Sequence, residues 1–122
     1  MEVERLEVWQ LGIALAKEVY AVTSKYPKEE LFGLTNQTRR AAVSVPSNIA
    51  EGKGRGTAKD FINFLNIARG SLYELKTQIK LALEFGYLET EVHNELSSKI
   101  DVLIHKLKGL ILAVRNGNKE TA

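Results

Sequence analysis

Apolar residues recur three and four positions apart through most of the chain. From Leu6 the series Leu6, Trp9, Ile13, Ala16, Tyr20 keeps that rhythm, which is the seam of an amphipathic helix. A second series, Val8, Leu15, Val19, Val22, Tyr26, runs beside it, so the first helix has a wider apolar face than one neighbouring helix needs. Tyr26-Pro27 ends it, because proline disfavours helical geometry in the residue before it. Pro27 also suits the first turn of the next helical segment, with Glu29 and Glu30 well placed for a helix N-terminal dipole.

The second helix is predicted from about Leu34 to Glu51. Pro46, inside it, lacks the N–H that would bond the Ala42 carbonyl, and an interior proline costs about 3 kcal/mol, so a bend is predicted there. Ala41, Ala42, Ser44, Ser47 and Ala50 are small enough to let a neighbouring backbone come close. A strand over AAVSV is the alternative, but that stretch is short and has no partner strand in the sequence. The glycines of GKGRG (52–56) end the helix, and Thr57 with Asp60 three residues on reads as a capping box. Phe61, Leu65, Ala68, Leu72, Leu75, Ile79 and Ala82 then hold the rhythm to about Phe85, where Gly86 stops a helix of about 43 Å. Gly70 and Ser71 near its middle predict a tight crossing. A fourth helix starts near Glu89, has its seam at Val92, Leu96, Ile100, Leu103, Leu107, Leu110 and Val114, and ends at Asn116-Gly117. Short connections between four long helices predict an all-α, antiparallel up-down-up-down four-helix bundle over residues 1–117. Residues 118–122 are expected to form a disordered tail.

Composition narrows the chemistry. The 122 residues include no cysteine, which excludes disulfides, a thiol nucleophile and a cysteine metal site. The N-terminus MEVERLEVWQ is acidic, unlike a signal peptide, and no window approaches eighteen uncharged apolar residues. A soluble cytoplasmic protein, with no membrane partner, is the expectation. The formal charge of +2 is unevenly spread: residues 39–80 hold eight basic side chains against three acidic ones, and both flanks are mildly acidic. That asymmetry points to a polyanionic partner.

Catalytic and metal chemistry find little support. His93 and His105, twelve residues apart on one helix, point about 120° away from each other. The Glu-x-x-His pairs of di-iron bundles are missing, since Thr90 and Val102 stand three residues before the histidines. Ser44, Ser47 and Ser71 sit among small packing residues without a nucleophile elbow. No enzyme, metal site or cofactor is expected. The loop Gly52–Thr57 has two readings: a flexible connection with solvated charges, or a phosphate contact made by backbone N–H groups with Lys53, Arg55 and Lys59 nearby. It lacks the spacing and preceding strand of a P-loop. Arg39 and Arg40 diverge by about 100° and can pair with Glu51 or Glu74 inside the bundle.

LEVWQLGIALAKEVY (6–20), YPKEELFGLTNQTRRAAVSVPSNIAEGKGRG (26–56) and DFINFLNIARGSLYELKTQIKLALEFGYL (60–88) together resemble the four-helix-bundle family of proteins encoded in 23S rRNA intervening sequences. The resemblance is most specific in S-x-P-x-N-I-A-E-G and A-R-G-S, while Glu89 departs from the serine or threonine cap of relatives. It implies a left-handed antiparallel bundle that assembles into a homopentameric ring. Similar bundles act as accessory variability determinants in diversity-generating retroelements, which implies a reverse transcriptase and nucleic acid as partners.

Within that family likeness Arg40, Pro46, Asn48, Glu51, Gly52, Arg69 and Gly70 are architectural, with Asn48 satisfying backbone groups near the bend. Lys53, Arg55, Lys59, Lys76 and Lys80 are the candidate nucleic-acid-binding residues. They would touch phosphate without base readout, because the aromatic-basic interleaving used in stacking recognition is missing. The leading expectation is thus a non-enzymatic RNA- or DNA-binding module. The alternative is a protein-interaction scaffold or accessory subunit for a partner enzyme such as a reverse transcriptase. Self-assembly is expected from the second seam of the first helix, Val8, Leu15, Val19 and Val22; the number five comes from the resemblance.

Overall fold

A computed structural model describes residues 2–117. They form four α-helices and no strand: α1 (Glu7–Thr23), α2 (Leu34–Gly54), α3 (Ala58–Glu84) and α4 (Thr90–Arg115), with short 3-10 turns at Val3–Arg5 and Lys28–Glu30. Side-chain contacts give the directions. Gly12 of α1 faces Pro46 of α2, and Thr23 bonds Arg39, so these helices run antiparallel. Ser44 meets Ser71 while Gly52 meets Phe64, which sets α3 antiparallel to α2. Glu18 pairs with Lys99 and Glu7 with Lys106, closing the bundle with α4 antiparallel to α1. One apolar core runs along it, fully burying Val45, Ile49, Leu65, Leu72, Leu75, Ile100 and Leu107. The expected four-helix bundle is present.

The ends of the helices are where local sequence is most visible. Thr57 Oγ1 accepts the Asp60 N–H at 3.1 Å, as the capping pattern predicts. At the end of α3, Gly86 takes φ +79° and lets the Tyr87 N–H reach the Ala82 carbonyl at 2.9 Å. Glu30 does two things: one carboxylate oxygen accepts the Leu34 N–H at the start of α2, and the other accepts the Tyr87 hydroxyl at 2.8 Å. The Arg39 Nε donates to Thr23 Oγ1 at 2.8 Å, with its guanidinium 4.6 Å over the Tyr20 ring. A cation is thereby held at the negative end of α1, where the macrodipole favours it. The predicted pairing of Arg39 with Glu51 or Glu74 is therefore wrong; the last turn of α1 is the nearer acceptor.

Three other expectations need correction. The two seams of α1 exchange roles: Val8, Leu15 and Val19 are buried and Val22 is half-buried, while Ile13 and Tyr20 remain 44% and 45% exposed. The reason is Gly12, which shares the face of Val8, Leu15 and Val19 and lets that face approach Pro46 closely. α2 ends inside the GKGRG stretch, as expected, but three residues later than predicted: it runs unbroken through Pro46 to Gly54, and Gly56 takes φ +86° just beyond. An i,i+4 pair between Glu51 and Arg55 and packing of Gly52 on α3 outweigh the low helix propensity of glycine. At Gly52 a Cβ would stand 2.6 Å from Phe64 Cβ. Gly70, predicted at a tight crossing, instead faces open space with nothing within 4 Å. Its neighbour Ser71 is the buried one, because the helix turns about 100° per residue. The expected tail, 118–122, lies outside the described residues.

Gly52→Ala should therefore lower the melting temperature, by an overpacking cost of about 1–3 kcal/mol partly offset by better helix propensity. Gly70→Ala should raise stability by about 0.5–1 kcal/mol, since only propensity changes. Thermal unfolding followed by circular dichroism checks both signs. Alkaline pH should also destabilise the fold. Burial raises the Tyr26 phenol, and the hydrogen bond to Glu30 followed by desolvation raises Tyr87, both above the ordinary 10.0. The folded chain thus keeps these protons longer than the unfolded one. Their contribution is complete below pH 10 and is lost as pH rises through the folded values, which urea midpoints measured across that range would show.

Candidate nucleic-acid interface

The turn between α2 and α3 gathers three of the predicted contacts. Lys53 Nζ lies 5.6 Å from the Phe61 ring centroid, and the Arg55 guanidinium lies 5.0 Å from that of Phe64. Both rings come from the first two turns of α3, so the helix after the turn braces the cations that precede it. Arg55 also donates to Glu51 at 2.8 Å, and this bond raises its already high pKa. Lys59 stands exposed in the first turn of α3, where unpaired backbone N–H groups add positive potential. The N–H groups of Gly52, Lys53 and Gly54 cannot converge on an anion as expected, because they are inside the helix. The electropositive features here are side chains and one helix end.

The other two candidates lie elsewhere. Lys76 bonds Asp101 of α4 at 2.6 Å, and Lys80 pairs with Glu84 on its own helix at 3.0 Å. Along α3 Lys80 is about 32 Å from Lys59, so the five residues do not form one patch.

The architectural residues fill a different stretch of the same edge. Asn48 Nδ2 donates to the Ser44 carbonyl and to Ser44 Oγ, each at 2.8 Å, and Ser44 Oγ in turn bonds Ser71 Oγ at 2.8 Å. Asn48 thus serves backbone near Pro46, as the sequence predicts. Arg40 and Glu74 line a furrow of about 370 Å³ between α2 and α3 beside these serines. Neither has an ion-pair partner among the described residues, so the predicted Arg40 pairing is not made. Sequence reading could not find this furrow, because it needs the register of α2 against α3. Arg69 is half-buried mid-α3. No group of three or more acidic or histidine side chains among the described residues could hold a metal. No described helix is long and apolar enough to cross a membrane.

Comparison with known proteins fits this picture. The family model for the 23S rRNA-intervening sequence protein matches residues 4–109. The chain belongs to this family. A solved helical bundle, a protein of unknown function from the S23 ribosomal protein family of Bacteroides thetaiotaomicron, superposes with a TM-score of 0.79. It is 23% identical, with 85% of this chain and 94% of that chain covered, which speaks for the fold alone. No curated protein matches the chain. The family match takes in Lys53, Arg55, Lys59 and both walls of the furrow.

The Thr57 cap holds the first turn of α3, and with it Phe61, Phe64 and Lys59. Thr57→Ala should cost about 1 kcal/mol and lower the melting temperature by several degrees. Thr57→Ser should keep most of the stability, which thermal scans of the two variants compare directly.

Proposed function

We propose that this family member is a non-enzymatic, self-associating bundle that binds RNA or DNA through phosphate contacts at the α2–α3 turn. The observation that carries the reading is the clustering of Lys53, Arg55 and Lys59 within seven residues beside a helix N-terminus, with two of the cations braced on aromatic rings. Preordered cations lose less side-chain entropy on meeting a phosphate than free ones do. Glu51 and Asp60 temper the local field, so one copy of the turn binds weakly. Self-association multiplies it, and linked weak sites gain avidity through effective concentration. The exposed apolar side chains of Ile13, Tyr20 and Val43 support association, and the family resemblance suggests a ring of five.

A second reading, a scaffold for a partner protein, is favoured by Phe32. It is 90% exposed on a turn fixed by the Glu30 carboxylate, close in sequence to half-exposed Leu31. Co-purification with and without nuclease separates the readings: a protein partner that survives nuclease favours the scaffold.

Replacing Lys53 and Arg55 with alanine should weaken binding about equally for all sequences and flatten the salt slope by about one to two units. Glu51→Gln should do the reverse, because it frees the Arg55 guanidinium from a carboxylate. Titrations of structured RNA at several salt concentrations test both; binding that is absent at low salt, or indifferent to salt, contradicts the proposal. Light scattering tests association. Ile13→Asp should shift the mass downward, and a monodisperse wild-type monomer at micromolar concentration would refute self-assembly.

A further inference from the structure

Between α2 and α3 the furrow presents six polar side chains whose hydrogen-bonding capacity is not used up. Gln37, Arg40 and Ser44 stand on one wall, and Ser71, Glu74 and Gln78 on the other. Gln78 Oε1 is buried and has no hydrogen-bond partner among the described residues. The two serines share one hydrogen bond, and Ser44 Oγ also accepts from Asn48, so one hydroxyl hydrogen stays available. Arg40 offers donors only and Glu74 acceptors only, and neither is ion-paired among the described residues. The furrow therefore leaves the Glu74 carboxylate and Gln78 Oε1 as free acceptors and Arg40 and one serine hydroxyl as free donors among the described residues.

Its two formal charges cancel, which disfavours a lone phosphate, repelled by Glu74, and a lone cation, repelled by Arg40. A zwitterion would exchange well-hydrated charges for exposed ion pairs, which are worth little in water. A neutral, flat group with donors and acceptors side by side meets the requirement. Among the four nucleobases only guanine offers two adjacent N–H donors (N1 and N2) for a carboxylate and two adjacent acceptors (O6 and N7) for a guanidinium.

We propose that this furrow reads an unpaired guanine, with the Glu74 carboxylate accepting from N1–H and N2–H and Arg40 donating to the O6/N7 edge. The inference rests on the nucleic-acid reading above and deepens it. Arg55 lies on the same α2–α3 edge, about 22 Å along α2 from Arg40. A strand whose phosphates meet the turn can lay a looped-out base in the furrow, the usual way in which RNA sequence is read.

The test uses the full-length protein and RNA hairpins that differ at one loop position, which carries guanosine, inosine, adenosine or uridine. Fluorescence anisotropy should show guanosine bound roughly tenfold or more tighter than adenosine or uridine. Inosine, which lacks the N2 amino group, should lose much of that gain. Glu74→Gln puts a donor where the base needs an acceptor. It should abolish the preference while leaving the salt slope unchanged, with circular dichroism confirming the fold. Equal binding of all four loops, or a preference that persists in Glu74→Gln, would overturn the guanine site and leave the phosphate contacts standing. No binding of any hairpin at low salt would overturn both, and would leave the furrow to a protein partner.

Discussion

Where α2 crosses α3, a Cβ on Gly52 would stand 2.6 Å from Phe64 Cβ and 3.3 Å from the Phe61 carbonyl. That closeness organises much of the molecule. It presses the end of α2 onto the first two turns of α3, so Gly52 and Gly54 stay helical although their propensity argues otherwise. It places Phe61 and Phe64 beneath Lys53 and Arg55. About two turns of α2 from this contact, Ser44 and Ser71 touch through their hydroxyls, and beside them lies the polar furrow of Arg40 and Glu74.

The fold was readable because its signals are local and repeated. The three-four rhythm of α3 and α4, the Thr57-Asp60 cap and the Gly86 stop each act within a few residues, and each appears where it was expected. What the sequence left hidden depends on distance between elements. Two apolar seams on α1 look alike in sequence, and only Gly12 against Pro46 decides which one enters the core. Gly70 and Gly52 are likewise the same residue type in helices, one open to solvent and the other closed by two phenylalanines.

The candidate site was legible as residue types and illegible as partnerships. Lys76 and Lys80 count as positive charge in a sequence, yet Asp101 and Glu84 offset them in the fold. Solvent screening makes such exposed pairs worth little to stability, but they still lower the local potential that a polyanion meets. Arg55 and Glu51 show the same thing at the turn. Arg40 and Glu74, which the sequence offers as a pair, show the opposite: the two charges face one furrow without meeting.

Glu30 has a consequence for the order in which the bundle comes together. Its carboxylate joins the first turn of α2 to Tyr87, 57 residues later, across the connection between α3 and α4. Single helical turns form with little loop-closure entropy, whereas this clasp closes the open end of the α2–α3 hairpin and forms only once the two helices have paired along their whole length. A contact that forms after the nucleus acts on the unfolding rate more than on the folding rate. The clasp therefore sets how long the native bundle persists more than how fast it is reached.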